Sequence, residues 1–284
     1  MRRQTSNPQR AGAPMLAERH NDQAAGLRRM FGCERLRVIH IVAGCAGVGR
    51  TTVAVNLGVA LAMAGRETLL IDVVEDRGRD TVLERLRFNP QRRSAENTAS
   101  IVTGPHGLRV LAVDGAAAQV DLNAGQIGRS LAYALVTDSS TRCTGWLPVD
   151  ERSREFVVVL GRAPATITRA YALIKRMTAA GLCRRFHVLI NRVASDTEAA
   201  LIFRNMSQVA RGYLDVDLRL LGFVPADPML EHAAVERSSL LDAAPAAPAA
   251  TAFLRLADRI AAWPRHASER DDAPQDFARA VGAA

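Results

Sequence analysis

The sequence predicts an α/β protein with a mainly parallel sheet covered by helices on both faces. Three observations point there. Short apolar runs alternate with segments of helical period from about residue 37 to residue 262. Those runs are rich in Val, Ile and Leu with little polar alternation, as strands buried on both faces are. The first run ends in a glycine-rich turn that opens directly into a helix, the way parallel strands are connected.

Residues 1–20 read as a polar, disordered lead and 21–35 as a short helix. Asn21 or Asp22 can cap it, and Ala24, Leu27 and Phe31 recur at i, i+3 and i+7. Arg37 to Val42 is the first strand, Thr51 to Met63 the helix after it, and Glu67 to Ile71 a strand stopped at Asp72. Residues 77–106 are polar and irregular apart from a helical stretch around Thr81 to Leu86. Leu108 to Ala112 is the next strand, and a helical segment around Asp121 to Ser130 leads to Tyr133 to Thr137, closed by Asp138. Glu155 to Leu160 is a strand backed by a helix from Ala165 to Ala180. Phe186 to Ile190, ending at Asn191, is another, followed by a helix from Asp196 to Gly212. Leu218 to Val224 and a helix from about Ala250 to Ala262 complete a single domain over 36–262. Ala243 to Ala250 reads as the loop feeding that last helix, and 263–284 as a polar tail.

A chain of 284 residues suits one large domain with short appendages. Hydrophobic residues make up 48% and aromatics 5%, which predicts a core of Ala, Val and Leu. No run of roughly eighteen apolar residues occurs, and Met1 to Pro14 lacks the apolar stretch of a secretory signal, so a cytoplasmic location is expected. The cysteines Cys33, Cys45, Cys143 and Cys183 form no C-x-x-C pair and predict free thiols in a reducing compartment. The net charge of +8 is almost entirely arginine, Lys175 being the only lysine. Beside so much Ala this reads as base composition, and no arginine block is dense enough to require a specific nucleic-acid partner. The histidines form no constellation, and no Ser/His/Asp or Cys/His set suggests nucleophilic catalysis.

The chemistry concentrates in Gly44-Cys45-Ala46-Gly47-Val48-Gly49-Arg50-Thr51, between a strand and a helix. The spacing is that of G-x-x-x-x-G-K-[ST] with Arg50 in the lysine position. Glycines let successive backbone N–H groups converge on phosphate oxygens, and the following helix adds its positive end. The Thr51 hydroxyl is placed to ligate Mg²⁺, and Thr52 follows it in the first turn.

Gly44 to Asn56 resembles the deviant Walker A segment of the MinD/ParA ATPases, which runs K-G-G-x-G-K-T-T into a helix. The resemblance implies a MinD-like P-loop domain that binds ATP and Mg²⁺ through the loop up to Thr52 and forms a nucleotide-dependent homodimer. It implies that Asp72 is a Mg²⁺-associated aspartate and Asp138 the Walker B aspartate, with Thr51 completing the metal ligands and Arg50 beside them as a catalytic residue. It also puts Asn191, Arg192 and the Pro225-Ala226-Asp227 segment where the family contacts adenine.

Within that family the chain is similar to the FlhG (FleN) regulators of flagellar number and placement. Asp22-Gln23-Ala24-Ala25-Gly26-Leu27-Arg28 matches their D-Q-A-x-x-L-R helix, and Thr166 to Lys175 resembles their helix after the fifth strand. The likeness covers about residues 21 to 262. It implies an activator helix that stimulates FlhF, a signal-recognition-particle-like GTPase, through Asp22, Gln23, Leu27 and Arg28. Gln23 would reach toward a phosphate and Leu27 would anchor. Flagellar C-ring proteins and a flagellar transcriptional activator are the other partners it implies, with peripheral placement at the inner membrane or the cell pole.

The departures predict weak or no hydrolysis. Cys45 and Arg50 replace the family's two loop lysines, and Val74 replaces the second aspartate of D-x-D, with Glu75 and Asp76 the nearest carboxylates. Arg is bulkier than an ammonium in a loop wrapped around phosphates. Losing the three together removes several kcal/mol of transition-state stabilisation, at about 1.4 kcal/mol per tenfold in rate. The tail segment Phe277-Ala278-Arg279-Ala280-Val281 offers only two sizeable apolar side chains, worth about 3–4 kcal/mol if buried. Asp271, Asp272 and Asp276 oppose an anionic surface, so a solvated tail is expected rather than a membrane anchor. The alternative function is an active ParA-type ATPase that partitions DNA or cargo, for which ATP-dependent, salt-sensitive DNA binding would speak. A third reading is a scaffold that binds no nucleotide.

Overall fold

A computed structural model describes residues 36–74, 81–86, 101–114, 131–138 and 154–264 of the chain. The expected activator helix at 21–35, the segment 121–130 and the tail lie outside the described residues. All described residues belong to one compact unit that begins at Leu36. In chain order they form β1 (Arg37–Ala43), α1 (Arg50–Met63), β2 (Thr68–Val74), α2 (Val82–Arg85), β3 (Ile101–Thr103) and β4 (Arg109–Asp114). Then follow β5 (Tyr133–Asp138), β6 (Arg154–Gly161), α3 (Pro164–Ala179), β7 (Arg185–Val193), α4 (Asp196–Tyr213) and β8 (Asp217–Pro225). The helices α5 (Pro228–Val235), α6 (Leu240–Ala243) and α7 (Pro248–Ala261) close the described chain.

The strands make one sheet in the order β3-β4-β2-β5-β1-β6-β7-β8. Every pairing is parallel except β3 with β4. Apolar residues at alternate strand positions supply both faces. Ile39, Ile41, Leu70, Leu135 and Val157 face α1 and α7, whereas Phe156, Val158, Leu160, Val188 and Ile190 face α3 and α4. The α1 sequence is apolar nearly all round because it is covered on all sides, with Val53 to Ala62 buried. Gly58 sits in its middle where a Cβ would come 3.2 Å from Leu108 Cδ1, so the missing side chain lets helix and sheet approach. α7 instead buries one stripe, Phe253, Leu256, Ala257 and Ile260, at the i, i+3, i+4, i+7 spacing of an amphipathic helix.

Three expectations about strands are corrected. β2 does not stop at Asp72 but continues to Val74, and β7 passes Asn191 to Val193. Each is flanked by a strand on both sides, so the ladder carries a polar residue without ending. The irregular stretch before residue 106 contains β3, too short for periodicity to reveal. Two short helices that the sequence reading left unassigned follow β8, ahead of the loop into the last helix: Asp227 Oδ1 accepts from the Met229 N–H at 2.9 Å and caps α5, with Pro228 at its first position.

The described chain closes back on the start of the sheet. Arg37 donates to the carbonyls of Ile260 at 3.0 Å, Trp263 at 3.2 Å and Pro264 at 3.0 Å. Trp263 stacks on His187 with ring centroids 3.8 Å apart, and His187 Nε2 lies 3.3 Å from Glu155 Oε2 in a buried pair.

Candidate phosphate-binding site

The glycines of the β1–α1 loop have separate jobs. Gly47 and Gly49 hold φ of 82° and 93°, a left-handed region that side chains disfavour. At Gly44 a Cβ would run into the Arg169 carbonyl and the Ala170 nitrogen, so the backbone of α3 walls the start of the loop. A Cβ on Gly49 would overlap Asn191 Nδ2. Gly49 is also the N-cap of α1, with no side-chain cap and no acidic residue in the first turn. The first N–H groups of α1 therefore keep their positive end for an outside anion.

Asn191 fixes that loop from β7. Its Nδ2 donates to the Val48 carbonyl at 2.8 Å in a buried site, and the residue is 2% exposed. Its Oδ1 is buried and meets no hydrogen-bond donor among the described residues.

Asp72 lies one strand further from the loop. By register it pairs with Thr137 on β5 and Ala112 on β4, so the three side chains share one face of the sheet. The neighbouring Leu70 and Leu135 place that face under α1. Asp72 Oδ2 accepts from the Val82 N–H at 2.8 Å, which docks α2 on the end of β2. The Thr137 hydroxyl is fully buried with no partner among the described residues. Thr52 Oγ1 accepts from Arg85 Nη1 at 2.9 Å, and Asn56 bridges the Thr52 carbonyl at 2.9 Å to the Leu240 N–H at 2.8 Å.

The structure thus gathers Gly44 to Thr52, Asp72 and Asn191 at the C-terminal ends of the parallel strands, where open α/β sheets bind ligands. Cys45, Arg50 and Thr51 are half-buried there. Asp138 ends β5 opposite Val73, and its side chain, like that of Val74, lies outside the described residues. Arg192 is exposed with φ 59°. Pro225 ends β8, while both Asp227 oxygens serve backbone N–H groups, those of Met229 and of Ala249 at 3.1 Å. Asp22, Gln23, Leu27 and Arg28, expected to bind a partner, lie outside the described residues, as do Glu75 and Asp76. Among the described residues no group of three His, Cys, Asp or Glu gathers to hold a metal, and no helix is long and apolar enough to cross a membrane.

The sequence profile of the CobQ/CobB/MinD/ParA nucleotide binding domain matches residues 39–240. The chain belongs to this family. It is 29% identical over 262 residues to the antiactivator FleN of Pseudomonas aeruginosa, covering 86% of this chain and 93% of FleN. The fold is that of MinD in the MinC:MinD cell division complex of Aquifex aeolicus, with a TM-score of 0.57 at 21% identity over 82% of this chain and 98% of that one. MinD of Pyrococcus horikoshii complexed with Mg-ADP gives 0.56 at 18% identity, over 79% and 96%.

For a member of this family the residues present fit an adenine nucleotide. The uncapped α1 and its glycine loop are suited to an anion, and the orphaned Asn191 Oδ1 is a buried acceptor suited to an amino group. Thr51 and Asp72 are oxygen donors of the kind Mg²⁺ takes. Two site features escape the sequence reading. Thr137 looks like one more strand residue, and Arg85 lies in a stretch whose only signal is the short helical pattern after Asp72.

Proposed function

We propose that the chain is an FlhG-type regulator of flagellar number and biosynthesis, working as an ATP-binding switch with slow or no turnover. One observation carries the reading: an open anion cradle, braced by a buried asparagine with a spare acceptor, in a chain that aligns with 93% of an antiactivator. The N–H groups of Gly47 to Thr52 would hold the phosphates. Thr51, Asp72 and Asp138 would hold Mg²⁺, and Asn191 Oδ1 would accept from the adenine amino group beside Arg192, Pro225 and Asp227. When bound, ATP supplies the triphosphate charge that the cradle neutralises. Cys45, Arg50 and Val74 leave the site without the lysines and second carboxylate that fast phosphoryl transfer uses.

Output then passes through protein contacts. The Asp22–Arg28 segment stimulates an FlhF-like GTPase, with Gln23 and Leu27 as its main contacts, and a nucleotide-dependent homodimer presents the surface that restrains a transcriptional activator. The protein works in the cytoplasm and reaches the pole or the inner membrane through partners rather than its own tail.

Calorimetric titration with Mg²⁺–ATP and Mg²⁺–ADP, with mass followed by light scattering, tests the switch. Micromolar binding with ATP-dependent doubling of mass is expected, together with stimulation of the GTPase by the full chain that Gln23→Ala removes. No heat and a constant monomer would end the switch reading. ATP-dependent, salt-sensitive DNA binding with rapid turnover would instead favour a partitioning ATPase.

A further inference from the structure

The loop faces a polyanion with little charge of its own. From Gly44 to Thr52 its one cationic side chain is Arg50, and Cys45 adds none. A second guanidinium nevertheless stands at the same helix end. Arg85 closes α2 and donates from Nη1 to Thr52 Oγ1 at 2.9 Å, across 33 residues of chain. It is held there from below, because the buried Asp72 carboxylate binds the Val82 N–H at 2.8 Å and fixes α2 against the end of β2. Thr52 is the third residue of α1, and its N–H is among the first-turn groups that no side chain caps.

The donor bond has a directional consequence. With one lone pair of Thr52 Oγ1 taken by Arg85, the hydroxyl proton remains for an acceptor, and among the described residues it meets none. A hydroxyl that accepts from a cation is also a stronger donor. The Thr52 N–H and O–H thus both belong to the uncapped first turn of α1, and the Arg85 guanidinium is hydrogen-bonded to the same residue.

We propose that Arg85 and Thr52 together form a phosphate-positioning point of the nucleotide site, with the second cation delivered by α2 rather than by the loop. This rests on the nucleotide reading above and adds to it: the end of β2 sets the affinity, because Asp72 carries the helix that carries Arg85. A strap that merely ties α2 to α1 would make the same hydrogen bond, and affinity separates the two. A strap acts on folding alone, whereas a positioning residue acts on phosphate.

The test uses the full chain and compares wild type, Arg85→Gln, Arg85→Lys, Thr52→Val and the double variant Arg85→Gln/Thr52→Val. Mg²⁺–ATP and Mg²⁺–ADP are titrated at low and high salt, and unfolding midpoints are taken without nucleotide. Arg85→Gln keeps a donor for Thr52 and removes the charge, so it preserves the strap. Expected are at least a tenfold loss of ATP affinity in Arg85→Gln with a flatter salt dependence, substantial recovery in Arg85→Lys, and a double variant no worse than the weaker single one. Unchanged affinity in Arg85→Gln overturns the proposal, whether or not its midpoint falls, and so do strictly additive losses. If folded wild type binds neither nucleotide, the nucleotide reading itself fails, a result distinct from wild-type binding that Arg85→Gln leaves untouched.

Discussion

Asn191 donates its side-chain amide to the carbonyl of Val48, 143 residues earlier, at 2.8 Å in a buried site. The strand that carries it is paired on both sides, so the amide is a fixed post and the loop is set against it. The same amide fills the space that a Cβ on Gly49 would need, which ties the glycine to the asparagine. Asn191→Ala strands the Val48 carbonyl without a donor, at a cost of about 1–3 kcal/mol. In a protein of this size that lowers Tm by roughly 2–4 °C per kcal/mol. Asn191→Asp should be worse, since it sets a carboxylate against a carbonyl. Melting curves with and without Mg²⁺–ATP check both, and the shift produced by nucleotide should shrink along with Tm.

Gly44 and Gly47 give a matched pair. A methyl on Gly44 meets the backbone of Arg169 and Ala170 inside α3, which cannot turn aside as a side chain can. A methyl on Gly47 has no neighbour within 4 Å, and only the positive φ resists it. Gly44→Ala should therefore cost about 1–3 kcal/mol or more by overpacking, while Gly47→Ala costs about 1–2 kcal/mol of left-handed strain. Urea midpoints order the two. Equal midpoints would mean that α3 does not wall the loop.

What was legible in the sequence was what repeats or is spaced by rule. Val, Ile and Leu runs at strand length located seven strands, and the glycines with Thr51 located the loop, because those residue types answer to local backbone geometry. Asp72 and Asn191 were found as residues but not as mid-strand residues, since the ladder that carries the chain past them comes from neighbours distant in sequence. Arg85 and Thr137 were not found. Their significance lies in what they stand beside, and neither the Arg85–Thr52 bond nor the Asp72–Thr137 register has a local signature.

Asp72 does two things that substitution can separate. Its Oδ2 accepts the Val82 N–H, and in the proposed switch its carboxylate would help hold Mg²⁺. Asp72→Asn keeps an oxygen for Val82 and removes the charge. It should lower Tm without nucleotide by less than Asp72→Ala does, since the acceptor for Val82 is conserved. The part of the ATP-induced stabilisation that depends on Mg²⁺ should disappear. Asp72→Ala should lose both, and lower Tm even without nucleotide. Thermal shifts with ATP plus EDTA against ATP plus Mg²⁺ distinguish these outcomes.

Cys183 should behave as a quiet thiol. Its Sγ donates to the Arg185 carbonyl at 2.7 Å and accepts from the Arg185 N–H at 3.3 Å, and burial pushes the thiol up from its ordinary value of 9.0. Thiolate is the reactive form, so alkylation at neutral pH should be slower in the folded chain than in urea. The folded state holds this proton more tightly than the unfolded one. The resulting stability is fully present below pH 9.0 and is lost as pH rises through the folded value. Mass mapping of the iodoacetamide-labelled Cys183 peptide across that range follows it. Fast labelling at pH 7 in the folded chain would contradict the burial.

Arg37 offers a change that should affect stability without touching the loop. It starts β1, whereas the loop follows the other end of that strand. Its guanidinium serves the carbonyls of Ile260, Trp263 and Pro264 and lies 5.7 Å from the Trp263 ring centroid. Carbonyls at a helix C-terminus lack intrahelical donors and carry the negative end of the dipole, so one planar cation meets several needs at once. Arg37→Ala should cost about 2 kcal/mol. Arg37→Lys should recover less than half of that, because an ammonium is a point donor and cannot span three carbonyls or lie flat over an indole. Denaturant midpoints give the energies, and Mg²⁺–ATP titration of the same variants should return wild-type affinity. A loss of affinity in Arg37→Ala at temperatures well below its Tm would show that the two ends of the sheet are coupled, and that the seal of α7 is part of the switch rather than only of the fold.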